Sequence, residues 1–130
     1  AFPPAAARLF RTLVADDEPL ARQRLRTLLA AHRDFEVVGE CGDGVQLIEK
    51  AKTWRPHLII ADIMMPGAYG SAAVVTLQAE PGLEKVPVIF LTAMAEDQAR
   101  LIIPPSTDGR LLNKPMDVGK LLSAIAELLA

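Results

Sequence analysis

Residues 9–19, with the sequence LFRTLVADDEP, decide the fold because they join a strand to a helix through an acidic turn. Residues 9–15 are mostly apolar and have the length of a buried strand. Asp16 and Asp17 end that strand, and Pro19 suits the first position of a helix, where a backbone N–H would have no partner. Acids before Pro19 also interact favourably with the helix dipole. The stretch therefore predicts a strand and a helix with two carboxylates at their junction.

The same alternation of strands and helices continues along the rest of the chain. Further strands are predicted near residues 35–40, 57–61, 86–91 and 110–112. Helices are predicted over about residues 19–31, 45–54 and 71–79, from Glu96 to before Pro104, and after Asp117, which suits a helix cap. Between the third strand and the third helix we expect a loop through residues 65–67.

Five strand-to-helix units predict a parallel sheet with right-handed crossovers, because parallel neighbours need a helix between them to return to the same end. The fold class is therefore α/β, a three-layer sandwich of five strands and five helices. A dinucleotide-binding half of the Rossmann type is the second choice. It lacks its phosphate cradle, because no Gly-x-Gly-x-x-Gly follows the first strand.

Composition limits the classes of partner and compartment. With 130 residues, of which 51% are hydrophobic, the chain suits one globular domain. The 14 basic and 16 acidic residues give a net charge of −2, which disfavours binding to nucleic acid or to an anionic membrane surface. Cys41 has no partner for an internal disulfide, which fits the cytoplasm, and no apolar run approaches membrane-spanning length. We expect residues 1–7 to be a disordered tail and residues 8–130 to form the domain.

Polar residues follow the strands at the points where they end. They are Asp16 and Asp17 after the first strand, Asp62 after the third, Thr92 at the end of the fourth and Lys114 after the fifth. The carboxyl ends of parallel strands share one edge of the sheet, where ligands bind. Crowded carboxylates repel each other and need a cation, and their oxygens suit Mg²⁺. Asp62 is then a candidate nucleophile toward a phosphoryl donor.

Each of these residues also has an ordinary structural explanation. Asp16 or Asp17 could cap a helix, Asp62 could form a local turn, Thr92 could be a loop hydroxyl and Lys114 a solvated charge. Together these explanations are weak, because they leave the clustering of the carboxylates unexplained. The set is therefore interpreted as one site.

Four motifs, in order along the chain, carry a resemblance to a known family. They are LVADDEP at residues 13–19, DIMMPG at residues 62–67 followed by Gly70, LTA at residues 91–93 and NKP at residues 113–115. With these motifs, residues 8–129 resemble the CheY-like receiver domain of bacterial two-component response regulators. The resemblance implies a flavodoxin-like fold with strand order 2-1-3-4-5. It also implies a signalling domain that catalyses only its own phosphorylation and dephosphorylation.

The resemblance assigns a role to each matching acid. Asp62 would accept a phosphoryl group from a sensor histidine kinase or a phosphotransfer protein. Asp17, Asp62 and the backbone carbonyl of Met64 would bind Mg²⁺ directly, and Asp16 would bind it through water. These roles come from the resemblance. The residues by themselves do not decide which oxygens bind the ion.

The remaining motif residues would read and relay the phosphoryl group. Thr92 would donate a hydrogen bond to it, Lys114 would pair with it, and Pro115 would follow a cis peptide bond. The implied partners are a downstream effector domain or target protein, with a dimer through the face of the fourth helix, fifth strand and fifth helix as one arrangement. Direct binding to nucleic acid or to a membrane is not expected of this domain.

Two positions depart from the family pattern. Leu111 stands where receivers often carry a tyrosine or phenylalanine that turns inward on activation. Pro104 and Pro105 should cut the fourth helix short, so we expect an unusual or mobile segment over residues 95–109. These departures motivate an alternative function, a pseudo-receiver that serves as an interaction module with an altered switch.

Two further possibilities receive less weight. A haloacid-dehalogenase-like phosphatase also uses an aspartyl-phosphate, but it needs Asp-x-Asp after the first strand, and Asp17 is followed by Glu18 and Pro19. Arg22, Arg24 and Arg26 are interpreted as a solvated helix face rather than a phosphate or partner patch. The two histidines lack metal-ligand spacing.

Overall fold

The computed structural model of the protein describes residues 10–32, 34–65, 68–103, 110–114 and 117–129. Its long strands are β1 (Phe10–Ala15), β2 (Phe35–Cys41), β3 (Leu58–Asp62), β4 (Val88–Thr92) and β5 (Arg110–Asn113). Its helices are α1 (Pro19–Ala30), α2 (Gly44–Trp54), α3 (Gly70–Gln78), α4 (Glu96–Arg100) and α5 (Val118–Leu129). Strands and helices alternate as the sequence predicted.

The five long strands form one parallel sheet in the order β2-β1-β3-β4-β5. This is the order that the resemblance implied, and the α/β prediction is confirmed. Ala15, the last residue of β1, lies opposite Ala61, and Thr92 lies opposite Asn113. The residues that follow these strand ends therefore meet at one edge of the sheet.

Apolar side chains cover both faces of the sheet. Along β1, Leu13 joins the cluster formed with α2 and α3, whereas Val14 joins the cluster formed with α1 and α5. Ile59 and Ile60 divide between the same two clusters in β3. Because successive side chains of a strand point to opposite faces, an uninterrupted apolar run fills both halves of the core. The three-layer prediction is confirmed.

Local hydrogen bonds explain where the helices begin. Pro19 occupies the first turn of α1, as predicted. The backbone N–H of Lys120 donates to Asp117 Oδ1 at 3.0 Å, so Asp117 caps α5 as expected. Asp43 caps α2 by accepting from the backbone N–H of Gln46 at 2.8 Å, and α2 therefore begins one residue earlier than predicted.

The segment after β3 differs from the sequence expectation, and the fourth helix agrees with it. Met64–Met65 and Ala68–Tyr69 pair as a short antiparallel hairpin where only a loop was expected. Two-residue strands carry no periodicity that could reveal them. The short fourth helix is confirmed, because α4 has five residues.

Several expectations concern residues outside the described part of the chain. They are the disordered tail at residues 1–7, Pro104 and Pro105 with residues 106–109, and the cis peptide bond before Pro115. Among the described helices, none is both long enough and apolar enough to cross a membrane.

Candidate functional site

Two acids and one lysine meet at the carboxyl edge of the sheet. Lys114 Nζ lies 2.9 Å from Asp16 Oδ2 and 3.1 Å from Asp62 Oδ2. Asp16 follows β1, Asp62 ends β3 and Lys114 follows β5, so the order of the strands brings together residues that are distant in sequence. Both carboxylates are buried, and the lysine ammonium stabilises two negative charges that would otherwise repel each other.

Asp16 is completely buried and held on every side. Its Oδ1 accepts from the backbone N–H of Glu18 at 2.9 Å, while its own N–H donates to the carbonyl of Cys41 at 3.0 Å. Its carbonyl accepts from Arg22 Nη1 at 2.6 Å. Each polar group of Asp16 therefore has a partner, which is what a buried polar residue requires.

Asp17 completes a cluster of three carboxylates. One oxygen each from Asp16, Asp17 and Asp62 lies within 4.8 Å of the other two. Asp17 is exposed, and it lines a cleft of about 430 Å³ together with Glu18, Asp62, Met64, Ala93, Met94 and Lys114. Hard oxygen ligands in an open cleft fit Mg²⁺, which keeps several of its waters. The donor set is therefore suited to that ion.

The protonation equilibria at the site reflect burial and opposite charge. Burial raises the pKa of Asp62 above its ordinary value, and the charge of Asp16 adds to the rise. Hydrogen bonds from the Met64 N–H and from Lys114 oppose it. Burial alone would lower the pKa of Lys114, but the hydrogen bonds and charges of Asp16 and Asp62 outweigh it, so that pKa is raised. Lys114 therefore remains a cation at neutral pH.

Thr92 lies at the neighbouring strand end and is fully buried. Its Oγ1 accepts from the backbone N–H of Met94 at 2.9 Å, within its own loop. Asn113 Nδ2 donates to the Met94 carbonyl at 2.9 Å, and the Lys114 N–H donates to the Thr92 carbonyl at 2.8 Å. The loop after β4 is thus bonded to the end of β5, next to the lysine.

Met64 follows Asp62 closely and also reaches the cleft. Its backbone N–H donates to Asp62 Oδ1 at 3.1 Å, which orients that carboxylate. Pairing of Met64 with Tyr69 in the short hairpin supports this segment beside the site. The sequence-predicted residues Asp16, Asp17, Asp62, Met64 and Lys114 are therefore brought together.

Cys41 lies beside the acidic edge without being a nucleophile. Its side chain is buried, and burial raises the pKa of its thiol to about 11. The thiol is therefore protonated at neutral pH, and it is poorly reactive in that form. The contribution of Cys41 is the backbone carbonyl that receives the Asp16 N–H.

The expectation of a solvated arginine face on α1 is wrong for Arg22. Its side chain is only 21% exposed, and besides Asp16 it contacts Glu40, with Nε 3.4 Å from Oε1. Glu40 also binds Arg26. The available signal was the spacing of six residues between Asp16 and Arg22, which places the guanidinium one helical turn above the acidic junction. Arg24 and Arg26 remain exposed, as expected.

Leu111, where an aromatic ring was expected from the family pattern, lies in β5 opposite Phe90. It is partly buried and packs against the core cluster on the α2 and α3 side of the sheet. At this position β5 therefore packs on the core through an aliphatic side chain rather than an aromatic ring.

Comparisons with known proteins agree with this geometry. The family model for the response regulator receiver domain matches residues 12–126. The transcriptional regulatory protein BtsR of Escherichia coli is 35% identical over 120 residues, which are 92% of this chain and 48% of that protein. A protein-glutamate methylesterase/protein-glutamine glutaminase of Alkalilimnicola ehrlichii is 37% identical over 90 residues, which are 69% of this chain and 22% of that protein.

A solved structure supports the same assignment. The response regulator domain of Thermotoga maritima CheB superposes with a TM-score of 0.77 at 25% identity, covering 94% of this chain and 97% of that one. The chain spans about half the length of BtsR and a smaller part of the methylesterase relative. The comparison therefore concerns one domain of those proteins. The chain belongs to the response regulator receiver domain family of two-component signalling.

Proposed function

We propose that this domain takes a phosphoryl group onto Asp62 from a sensor histidine kinase or a phosphotransfer protein. The observation that carries the proposal is the setting of Asp62 at the end of β3. One of its oxygens accepts from the Met64 N–H and the other from Lys114, while the cleft beside it is open. A carboxylate that is oriented and reachable in this way suits nucleophilic attack on phosphorus.

We assign the divalent ion to the acidic side of the cleft. Asp17, Asp62 and the Met64 backbone carbonyl would hold Mg²⁺ directly, and Asp16 would hold it through water. The support is the mutual approach of the three carboxylates and the position of Met64 on the same cleft. When bound, Mg²⁺ supplies positive charge next to the oxygens of the transferred group.

The transfer step is a displacement at phosphorus. An Asp62 oxygen forms a P–O bond while the P–N bond of the donor phosphohistidine breaks, and the imidazole nitrogen keeps the electron pair and takes up a proton. Lys114, already 3.1 Å from Asp62 Oδ2, stays beside the acceptor and pairs with the phosphoryl oxygens. The domain acts as a signalling domain whose chemistry is limited to gaining and losing this group.

Thr92 is proposed to read the phosphorylated state. Its hydroxyl oxygen accepts a hydrogen bond from the Met94 N–H in this structure. On phosphorylation the hydroxyl would give up that bond and donate one to a phosphoryl oxygen. Such an exchange moves the loop after β4, which Asn113 joins to β5. A local charge change would thereby bias a loop that a partner surface can recognise.

The output surface is proposed to be the face of α4, β5 and α5, including its use in a dimer. This face carries a cavity of about 620 Å³ between β5 and α5 and an ion pair between Arg110 and Glu127. BtsR is named as a transcriptional regulator and other relatives as methylesterases, so the same domain occurs in proteins whose names indicate different outputs. A histidine-kinase donor would place this chain in the cytoplasm.

The test of the function is phosphoryl uptake with a small donor. We expect acetyl phosphate with MgCl₂ to add about 80 Da, the mass of one phosphoryl group, in intact-protein mass spectra recorded within minutes. Asp62→Asn should abolish the gain. Asp43→Asn, which changes a partly buried helix-capping carboxylate outside the acidic cluster, should retain it. Equal uptake by wild type and Asp62→Asn would refute the assignment.

Two further experiments separate the alternatives. Repeated turnover of p-nitrophenyl phosphate would favour a phosphatase over a signalling domain. Full control of a partner by the Asp62→Asn variant in cells would favour the pseudo-receiver. The only described residue behind that alternative is Leu111, which packs as an ordinary apolar residue.

A further inference from the structure

The peptide between Asp16 and Asp17 is held by a side chain outside the acidic cluster. Arg22 Nη1 donates to the Asp16 carbonyl at 2.6 Å. That carbonyl belongs to the planar unit that also contains the Asp17 nitrogen, so fixing the oxygen fixes the direction in which the chain enters Asp17. Asp16 is fully buried whereas Asp17 is exposed, and the anchored peptide lies at the boundary between them.

Arg22 is itself held in place from β2. Its Nε lies 3.4 Å from Glu40 Oε1, while the other oxygen of Glu40 binds Arg26. Lys50 donates to the Glu40 carbonyl. An arginine whose planar group is already bound on one side loses little further freedom when it binds on the other. The guanidinium is therefore preorganised to receive the Asp16 carbonyl.

Gly42 leaves the space in which this contact forms. A Cβ atom at position 42 would lie 3.4 Å from Arg22 Nη1 and 3.9 Å from the Asp16 carbonyl oxygen. Both are ordinary van der Waals distances, so residue 42 packs directly against the guanidinium and the carbonyl. Arg22, Glu40 and Gly42 thus form one support beneath the β1-to-α1 junction.

We infer that Arg22, anchored by Glu40, is a positioning residue that directs the Asp17 carboxylate toward Asp62 and so raises the affinity of the acidic cluster for a divalent cation. This inference rests on the proposed function, because it concerns the same cluster. Charge alone predicts the opposite sign, because removing a nearby positive charge should tighten cation binding. The direction of the change therefore distinguishes positioning from simple electrostatics.

The test is titration with MgCl₂ followed by the NMR shifts of backbone amides, with thermal unfolding as a check on folding. We expect Arg22→Met, which keeps an apolar stem of similar length, to weaken Mg²⁺ binding about tenfold, the range found for residues that orient ligands. Arg26→Met removes the same charge from the same helix and leaves the contact between Arg22 and Glu40, so it should change affinity less than about twofold.

Two further variants keep the inference testable if Arg22→Met folds poorly. Glu40→Gln weakens the anchor of Arg22 and should reduce affinity about threefold, whereas Glu36→Gln, which removes the same charge from an exposed position of the same strand, should change it less than about twofold. Arg22→Lys, which can reach the carbonyl but cannot bind two partners as a planar fork, should recover part of the affinity. Unchanged or tighter binding by Arg22→Met and Glu40→Gln would overturn the positioning role. Wild-type protein that does not bind Mg²⁺ would instead overturn the proposed function, and the inference with it.

Discussion

The acidic side of the site and the hydroxyl side are held in different ways. Asp16, on the acidic side, exchanges hydrogen bonds with Glu18, Arg22, Cys41 and Lys114, which belong to three segments: the start of α1, the end of β2 and the end of β5. On the other side, among the residues that the structure describes, the Thr92 hydroxyl has one bond, a local one accepted from the Met94 N–H two residues later. Loss of the Asp16 carboxylate would break its contact with Lys114 from the far end of β5, whereas loss of the Thr92 hydroxyl would break one contact within a loop.

The supporting helices differ in the same sense. Twelve-residue α1 follows the acidic junction and buries Leu25 and Leu29 in the core. Five-residue α4 follows the loop after β4 and buries Ala99, while Leu101 just beyond it is 87% exposed. Segments with few buried apolar contacts open at low free-energy cost. The acidic side is therefore more firmly anchored than the loop and helix after β4, which matches the proposed switching role of that loop.

The largest expected effect comes from removing the cation that joins the buried acids. Lys114→Met leaves Asp16 and Asp62 without their common partner, and we expect a loss of about 3 kcal/mol in the free energy of unfolding in metal-free buffer. MgCl₂ should restore part of it. Urea denaturation with and without MgCl₂ measures both. Lys120→Met, on the exposed face of α5, is the control and should change stability by less than about 0.5 kcal/mol. A loss that MgCl₂ leaves unchanged would indicate lost packing instead.

An intermediate effect is expected on the hydroxyl side. Thr92→Val keeps the shape of the side chain but leaves the Met94 N–H without its acceptor, and the free energy of unfolding should fall by about 1 kcal/mol. Thr92→Ser keeps the oxygen and should lose less. Urea denaturation of both variants measures the difference. A larger loss for Thr92→Ser would mean that packing of the threonine methyl dominates, and the contrast between the two sides would weaken.

The smallest expected effect is a gain in stability that depends on pH. Because the folded-state pKa of Asp62 is raised above its ordinary value of 3.8, folding favours the protonated carboxyl, and this contribution is lost as pH rises through the folded-state pKa. Asp62→Asn cannot ionise. Its advantage over wild type in the free energy of unfolding should therefore grow from pH 4 to pH 7 in metal-free buffer. The advantage should stay below about 1 kcal/mol, because the neutral amide also binds Lys114 less strongly than the carboxylate does.

Urea denaturation across this pH range measures the advantage of Asp62→Asn. MgCl₂ at pH 7 should reduce it or reverse its sign, because the cation stabilises the ionised wild-type cluster. An advantage that is independent of pH would show that ionisation of Asp62 is not its cause.

The parts of the fold that could be predicted are those with local signals. Pro19 after two acids marked the start of α1, and Asp117 marked the start of α5. The hairpin at Met64–Met65 was missed because two-residue strands are shorter than any periodic pattern. Asp43 was not named as a helix cap, so the start of α2 was predicted one residue late.

The residues of the site likewise divide into those with a local sequence signal and those without one. Asp62 and Lys114 could be named because each follows a recognisable strand, and parallel strands end at one edge. Arg22 was assigned to solvent because sequence shows which face of a helix a residue occupies but not what approaches that face. In the folded protein, Glu40 near the end of β2 and the Asp16 carbonyl both bind Arg22 and bury most of its side chain.

By itself, the sequence determined the alternation of strands and helices and placed an acid, a hydroxyl or a lysine at four strand ends. These features follow from periodicity and turn chemistry, which act over a few residues. Tertiary structure alone decided that Lys114 joins Asp16, 98 positions earlier, to Asp62, and that Arg22 holds the peptide beside Asp17. Such contacts depend on the order of strands in the sheet, which sets which distant ends become neighbours.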